Sequence, residues 1–326
     1  MDTSLRSRSR SFALAGLLVA VVVTVLAPLV GGSGMNYGRL MRHEAPDWGI
    51  FINLRVPRTL LALLVGGALS ASGALFQALL RDALATPSSL GVSAAASLGA
   101  VIALAFFPGE ETGLPVVWIA ALVATGLVIA LVAGIRRSSR FSSFTLVLTG
   151  IAISGICSAG ILLLYSLAGI AKSFQITRWL MGGIEAVEYS VLLLLAAGII
   201  PVLIWILRLA RVLNVISYGE AWAAGRGIDC QKVTWQGFAA GAFLAGTTTA
   251  ITGPIAFVGL IVPHALRRIV GPDHRVLLPA CILGGGAFLV VCDTVSRSVL
   301  APIEIPVGVT TALLGGPFFV WLLWSR

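Results

Sequence analysis

Long apolar runs separated by short polar, arginine-bearing segments fill this sequence from end to end. A helix rises about 1.5 Å per residue, so crossing a bilayer core takes about 20 mostly apolar residues. Runs of that order lie at residues 12–31, 59–80, 88–107, 115–135, 143–168, 190–210, 233–252, 278–296 and 306–324, with a shorter one at 255–270. The pattern predicts an all-α, polytopic membrane helix bundle of about ten transmembrane helices, forming a single domain over residues 1–326. The run at 255–270 carries Pro263, His264, Arg267 and Arg268, and reads as a buried or half-length helix. The run at 12–31 follows Arg6, Arg8 and Arg10 like a signal peptide, yet no small-x-small cleavage pattern follows it, so it reads as a retained helix.

Composition agrees with this pattern. Of the 326 residues, 58% are hydrophobic and 11% charged, and the mean hydropathy is +1.01. Soluble domains carry about 25% charged residues. The net charge of +9 would suggest nucleic acid in a soluble protein. Here only Lys172 and Lys232 of the 22 basic residues are lysines, and the arginines sit in small groups between apolar runs, as on one basic membrane face. With the N-terminus inside, 15 of the 22 basic residues fall on the cytoplasmic side, and the balance becomes +10 inside, 0 outside and −1 within a span. Both termini are therefore expected in the cytoplasm. Spans rich in small residues, such as Gly66, Gly67, Ala68, Ser70 and Gly73, favour close helix packing in lipid.

Catalytic patterns are weak. Lys232 follows Gln231, and Lys172-Ser173 lacks preceding glycines, so neither builds a phosphate loop. His43, His264 and His274 have no metal-ligand spacing, and Cys157, Cys230, Cys281 and Cys292 form no CxxC pair and read as packing residues. The chain is expected not to be an enzyme and to bind no metal or other cofactor itself.

Four features stand out. Ser217 and Glu220 have capping-box spacing, with Gly225 and Gly227 as a stop; this is either a capped connector or a short helix presented to a cytoplasmic partner. Arg55, Arg58 and Arg297 lie outside, against the positive-inside tendency, and are snorkelling anchors or partners of carboxylates on an external protein. Asp293 lies within a span, four residues before Arg297, and an i,i+4 pair is the preferred explanation over a functional carboxylate. Residues 172–183, with Arg178 and Trp179, form an amphipathic stretch that suits a short outer helix, either at a path mouth or as an interfacial anchor.

Several ordered segments carry a resemblance: Arg55-Val56-Pro57-Arg58-Thr59-Leu60, Leu84-Ala85-Thr86-Pro87 through Ser93, Gly253-Pro254 through Pro263-His264, Gly271-Pro272-Asp273-His274-Arg275 and Glu304-Ile305-Pro306-Val307-Gly308-Val309. From about residue 50 to 324 the chain resembles the FecCD-like permease subunits of bacterial ABC importers for iron chelates and vitamin B12. The resemblance implies a type II importer permease in the inner membrane that moves a ferric siderophore, haem or vitamin B12. It implies a homodimer or close heterodimer, two ATPase subunits holding ATP and magnesium, and an external substrate-binding protein. On this likeness residues 217–230 are the ATPase coupling segment, with Ser217, Gly219, Glu220, Ala221, Ala224, Gly225, Arg226 and Gly227 at the contact. Arg55, Arg58 and Arg297 would meet acids of the binding protein. Asp82, Leu84 and Ser143 would form the inner gate, although Asp82-Ala83 departs from the Asn-Pro usual there. A secondary transporter is the alternative, and would require ionisable groups near the midplane.

Overall fold

A computed structural model describes residues 16, 18, 20–31, 36–107, 114–136 and 143–324. A helix at Ala20–Leu29 (α1) ends in a 3-10 turn over Ala27–Leu29. After a short helix at Tyr37–Met41 (α2), whose N-terminus is capped by Asn36, the chain enters a continuous helix at Asp47–Leu80 (α3). Then come Val92–Phe106 (α4), Leu114–Arg136 (α5), Ser143–Leu167 (α6) and Ile170–Leu180 (α7). Tyr189–Ser217 (α8), Glu220–Ala224 (α9), Cys230–Thr252 (α10), Val258–Val270 (α11), His274–Ser298 (α12) and Val307–Trp324 (α13) complete the order.

The apolar runs expected from the sequence correspond closely to helices. Among the described residues, α3, α5, α6, α8 and α12 are long and apolar enough to cross a membrane, while α1, α4 and α13 are shorter apolar helices. Two helices outrun their apolar windows furthest: α3 starts at Asp47 rather than near 59, and α8 runs to Ser217 rather than 210. Both extensions carry polar and charged residues, so hydropathy alone stops short of them. At 13 residues, α11 reaches about 20 Å, too short for a core about 30 Å thick. It is the half-length helix that its proline and arginines suggested. The expected helix over 172–183 is α7, and residues 1–15 lie outside the described part.

Helix α3 forms the centre, with α8, α10, α11 and α12 packed around it, while α4, α5 and α6 form a flank joined through α10. Small residues permit this. A methyl group on Gly66 would come within 2.3 Å of the Gly285 carbonyl oxygen, and one on Gly73 within 1.9 Å of that of Gly259. The backbones of α3, α12 and α11 therefore touch, and dispersion over these faces supplies the association that lipid does not drive. Leu61, Val65, Leu289 and Val290 fill the outer half of the core, and Leu75, Leu213, Leu244 and Leu277 fill the inner half. Cys157, Cys281 and Cys292 are buried among these apolar groups.

Two irregularities position functional groups. Residues Phe51–Arg55 form a π-helical turn within α3, immediately before Arg58. At the other end Arg81 adopts a left-handed conformation (φ 52°) that stops α3 and turns the chain into the 82–91 loop.

Candidate functional site

At the end of the bundle expected to face outside, α3 and α12 bring two arginines, Arg58 and Arg297, onto one carboxylate, with Arg55 nearby. Asp293, 1% exposed, accepts from Arg58 Nε at 3.0 Å and pairs with Arg58 Nη2 at 2.9 Å and Arg297 Nε at 3.2 Å. The local i,i+4 pair expected from the sequence is present as an ion pair, but Arg58, 235 positions away, is the closer partner and the one that hydrogen-bonds the carboxylate. A carboxylate this deeply buried requires such compensation, because its desolvation costs several kcal/mol. Arg58 Nη1 also donates to Glu304 Oε2 at 2.9 Å. Arg297 Nη2 donates to the Ala27 carbonyl at 3.0 Å, and Arg55 Nη1 to that of Pro28 at 3.1 Å, so the two side chains clamp the end of α1.

These placements change the reading of the outward arginines. They do come together, but Arg55 and Arg297 are only 6% and 5% exposed and are engaged internally. Neither is a free surface anchor. Arg58 and its partner Glu304 form the accessible part, with side chains 15% and 57% exposed. They border a cavity of about 330 Å3 that Leu54, Ala186 and Pro302 also line. On their other side lies a cavity of about 480 Å3 between α7 and the start of α13, reaching Trp179 and Thr252.

The inner face differs from the capping-box expectation. Ser217 is the last residue of α8, and its hydroxyl donates to the Leu213 carbonyl at 2.8 Å. Glu220 does not reach back to cap; its Oε1 accepts from Arg81 Nη2 at 2.8 Å. Gly219 takes the N-cap position of α9 instead, at φ 134° and ψ 149°, a conformation almost confined to glycine. The short helix is nevertheless well held: Ala223 is fully buried, and its carbonyl accepts from the amide of Ile228 at 3.1 Å. Trp222 projects from it, 55% exposed, with the Arg226 guanidinium 4.6 Å from the ring centroid. Gly225 closes α9 and Gly227 turns left-handed at φ 76°, as a helix stop should. Ala221 and Ala224 lie within α9, and Asp229 caps α10 by accepting from the Lys232 amide at 2.9 Å.

Two of the expected gate residues, Asp82 and Leu84, follow Arg81, which pairs with Glu220 of this segment. Asp82 accepts from the Leu84 amide at 2.9 Å, forming a tight turn directly after Arg81, and Leu84 is exposed. Ser143 opens α6, and its side chain lies outside the described part. The Arg81–Glu220 pair thus joins the start of the 82–91 loop to α9, a link between distant segments that no spacing rule reveals. Nearby, Asn214 near the end of α8 donates to Asp273 Oδ1 at 2.7 Å and accepts from the His274 amide at 2.8 Å, tying α8 to the start of α12. The Arg275 side chain, aided by Asn214, holds the Asp273 carboxyl down to about 2 despite partial burial.

The profile of the FecCD transport family matches residues 17–325. The chain is 35% identical over 311 residues to the hemin transport system permease protein HmuU of Yersinia pestis, covering 94% of this chain and 93% of that one. It is 36% identical over 320 residues to the vitamin B12 import system permease protein BtuC of Vibrio cholerae, covering 98% and 94%. Among solved structures, an inward-facing transporter assigned to the metal-chelate ABC type superposes with a TM-score of 0.85 at 28% identity, covering 98% of this chain and all of that one. With a profile match across nearly the whole chain and two relatives above 30% identity over almost their full length, this protein belongs to the FecCD transport family.

Proposed function

We propose that this chain is the permease subunit of an ATP-driven importer that carries an iron chelate, as ferric siderophore or haem, or vitamin B12 across the bacterial inner membrane. The observation that carries the ATP-driven reading is α9: a short helix standing beyond the end of α8, with Trp222 and Arg226 outward and Glu220 tied to the gate loop. A separate ATPase that binds ATP and magnesium would seat on this segment. Relatives for haem and for vitamin B12 are about equally similar, at 35% and 36% identity, which keeps both substrates in the proposal. Two copies of the chain, each one permease domain with both termini cytoplasmic, would enclose the path, with two ATPase subunits below and one substrate-binding protein outside.

In this mechanism, closure of the ATPase pair on ATP moves α9, and the Arg81–Glu220 pair passes the movement to the loop holding Asp82 and Leu84. Such coupling requires contacts that differ between the two states of the permease. Outside, Arg58 is the arginine that an acidic side chain of the binding protein can reach, with Arg55 and Arg297 holding the surrounding frame. Asp293 is matched by two arginines, which weighs against the ion-coupled alternative.

Co-purification and uptake test this reading. The permease is expected to retain an ATPase subunit in detergent, and proteoliposomes of the pair to accumulate haem, ferric siderophore or cobalamin only with ATP and the binding protein. Uptake driven by an ion gradient without an ATPase would refute it.

A further inference from the structure

The Arg58–Glu304 pair is the part of the wall common to the two outer cavities, one reaching the surface beside Leu54 and the other reaching Trp179. Glu304 presents to Arg58 the group that an external acidic side chain would present: one carboxylate oxygen, 2.9 Å from Nη1. Asp293 occupies the other edge of the same guanidinium and is buried, so only the Glu304 contact can be exchanged from outside. A partly exposed pair of this kind is weak through solvent screening, whereas a carboxylate arriving within a protein interface excludes water.

The segment behind Glu304 is bolted to distant parts of the outer face. The Ile305 amide donates to the Ser296 carbonyl at 3.0 Å, and the Gly308 amide to that of Gly182 at 3.0 Å. Gly183 in turn donates to the Thr252 carbonyl at 2.8 Å. Three residues therefore separate the exchangeable carboxylate from a backbone junction at Gly308 that joins the start of α13 to the ends of α7 and α10.

The geometry points to Glu304 as an internal placeholder: it occupies Arg58 until a carboxylate of the docking substrate-binding protein displaces it, and its release loosens the junction of α7, α10 and α13. Glu304 is thus a positioning residue that converts docking into a change at the mouth of the path. The inference rests on the reading of Arg58 as a docking residue.

The test uses the assembled permease and ATPase in nanodiscs, with the wild-type substrate-binding protein of the same bacterium on a sensor surface. Glu304→Gln removes the competing charge and leaves the Arg58–Asp293 pair intact. It is expected to tighten docking about threefold to fivefold, whereas Arg58→Gln weakens it. Without binding protein, Glu304→Gln is expected to raise amide hydrogen exchange about threefold in peptides spanning 178–186 and 303–310. Unchanged docking in Glu304→Gln with weakened docking in Arg58→Gln overturns the placeholder and leaves the docking role standing. Unchanged docking in Arg58→Gln removes both. Tighter docking with unaltered exchange at 178–186 overturns the transmission to α7.

Discussion

Asp293 governs the outer site because it is a buried carboxylate shared by two arginines. Removing it leaves the buried Arg297 guanidinium without a carboxylate and facing that of Arg58, which keeps only Glu304. Asp293→Ala is therefore expected to destabilise the protein by about 3–5 kcal/mol, seen as a lower midpoint of unfolding in detergent; Glu304→Gln, which removes only an exposed partner, should stay within about 1 kcal/mol. Equal effects would mean that Asp293 does not hold the site. At the inner face, the Asp273 carboxyl lies near 2, below the ordinary value of about 3.9. A lowered value adds stability above the ordinary range, and that contribution fades as pH falls from about 4 towards about 2. Asp273→Asn is expected to flatten the acid-unfolding curve in that window; an unchanged curve would show that Asn214 and Arg275 do not act through this charge. Some of this chemistry is legible in the sequence. The Asp293–Arg297 spacing announces its pair, but the Arg58 contact depends on how α3 lies against α12. Ser217 and Glu220 satisfy the capping spacing, yet α8 continues through Ser217 and Arg81 takes the glutamate. Local spacing cannot register either competitor.

Helices were the most legible level, because a bilayer core rewards long apolar runs directly. What hydropathy misses is where polar residues continue a helix beyond the core, as in α3 and α8, and those extensions carry the arginine cluster and the approach to α9. Two substitutions test how elements are joined. Gly73→Val places side-chain atoms against the Gly259 carbonyl, so α3 and α11 must separate. It is expected to cost about 1–3 kcal/mol or more, read as loss of folded protein on size exclusion and a lower unfolding midpoint. Gly219→Ala forces an L-residue into φ 134° at a cost of about 1–3 kcal/mol, confined to the joint between α8 and α9. In proteoliposomes the expected result is uptake reduced several-fold per ATP hydrolysed, with the ATPase still bound. An unchanged ratio of uptake to hydrolysis would remove α9 as a lever.

For the whole molecule, the division of charge into +10 inside and 0 outside makes a directional claim. A cysteine at Tyr218 should react with an impermeant reagent only from the cytoplasmic side, and one at Met41 only from outside; both positions are exposed, at 83% and 84%. The reverse pattern would invert every assignment of inner and outer partner. The π-helical turn at Phe51–Arg55 sets how these two faces are aligned. Such a turn holds one residue more than an α-helical path of the same course. Deleting one residue there would let an ordinary helix cover the same course, whereas a deletion within the regular part of Val56–Leu80 would rotate everything on its outer side by about 100° and shift it by about 1.5 Å. The turn is thus a place where α3 can lose a single codon while Trp48 on its outer side and the glycine contacts of the core both keep their register.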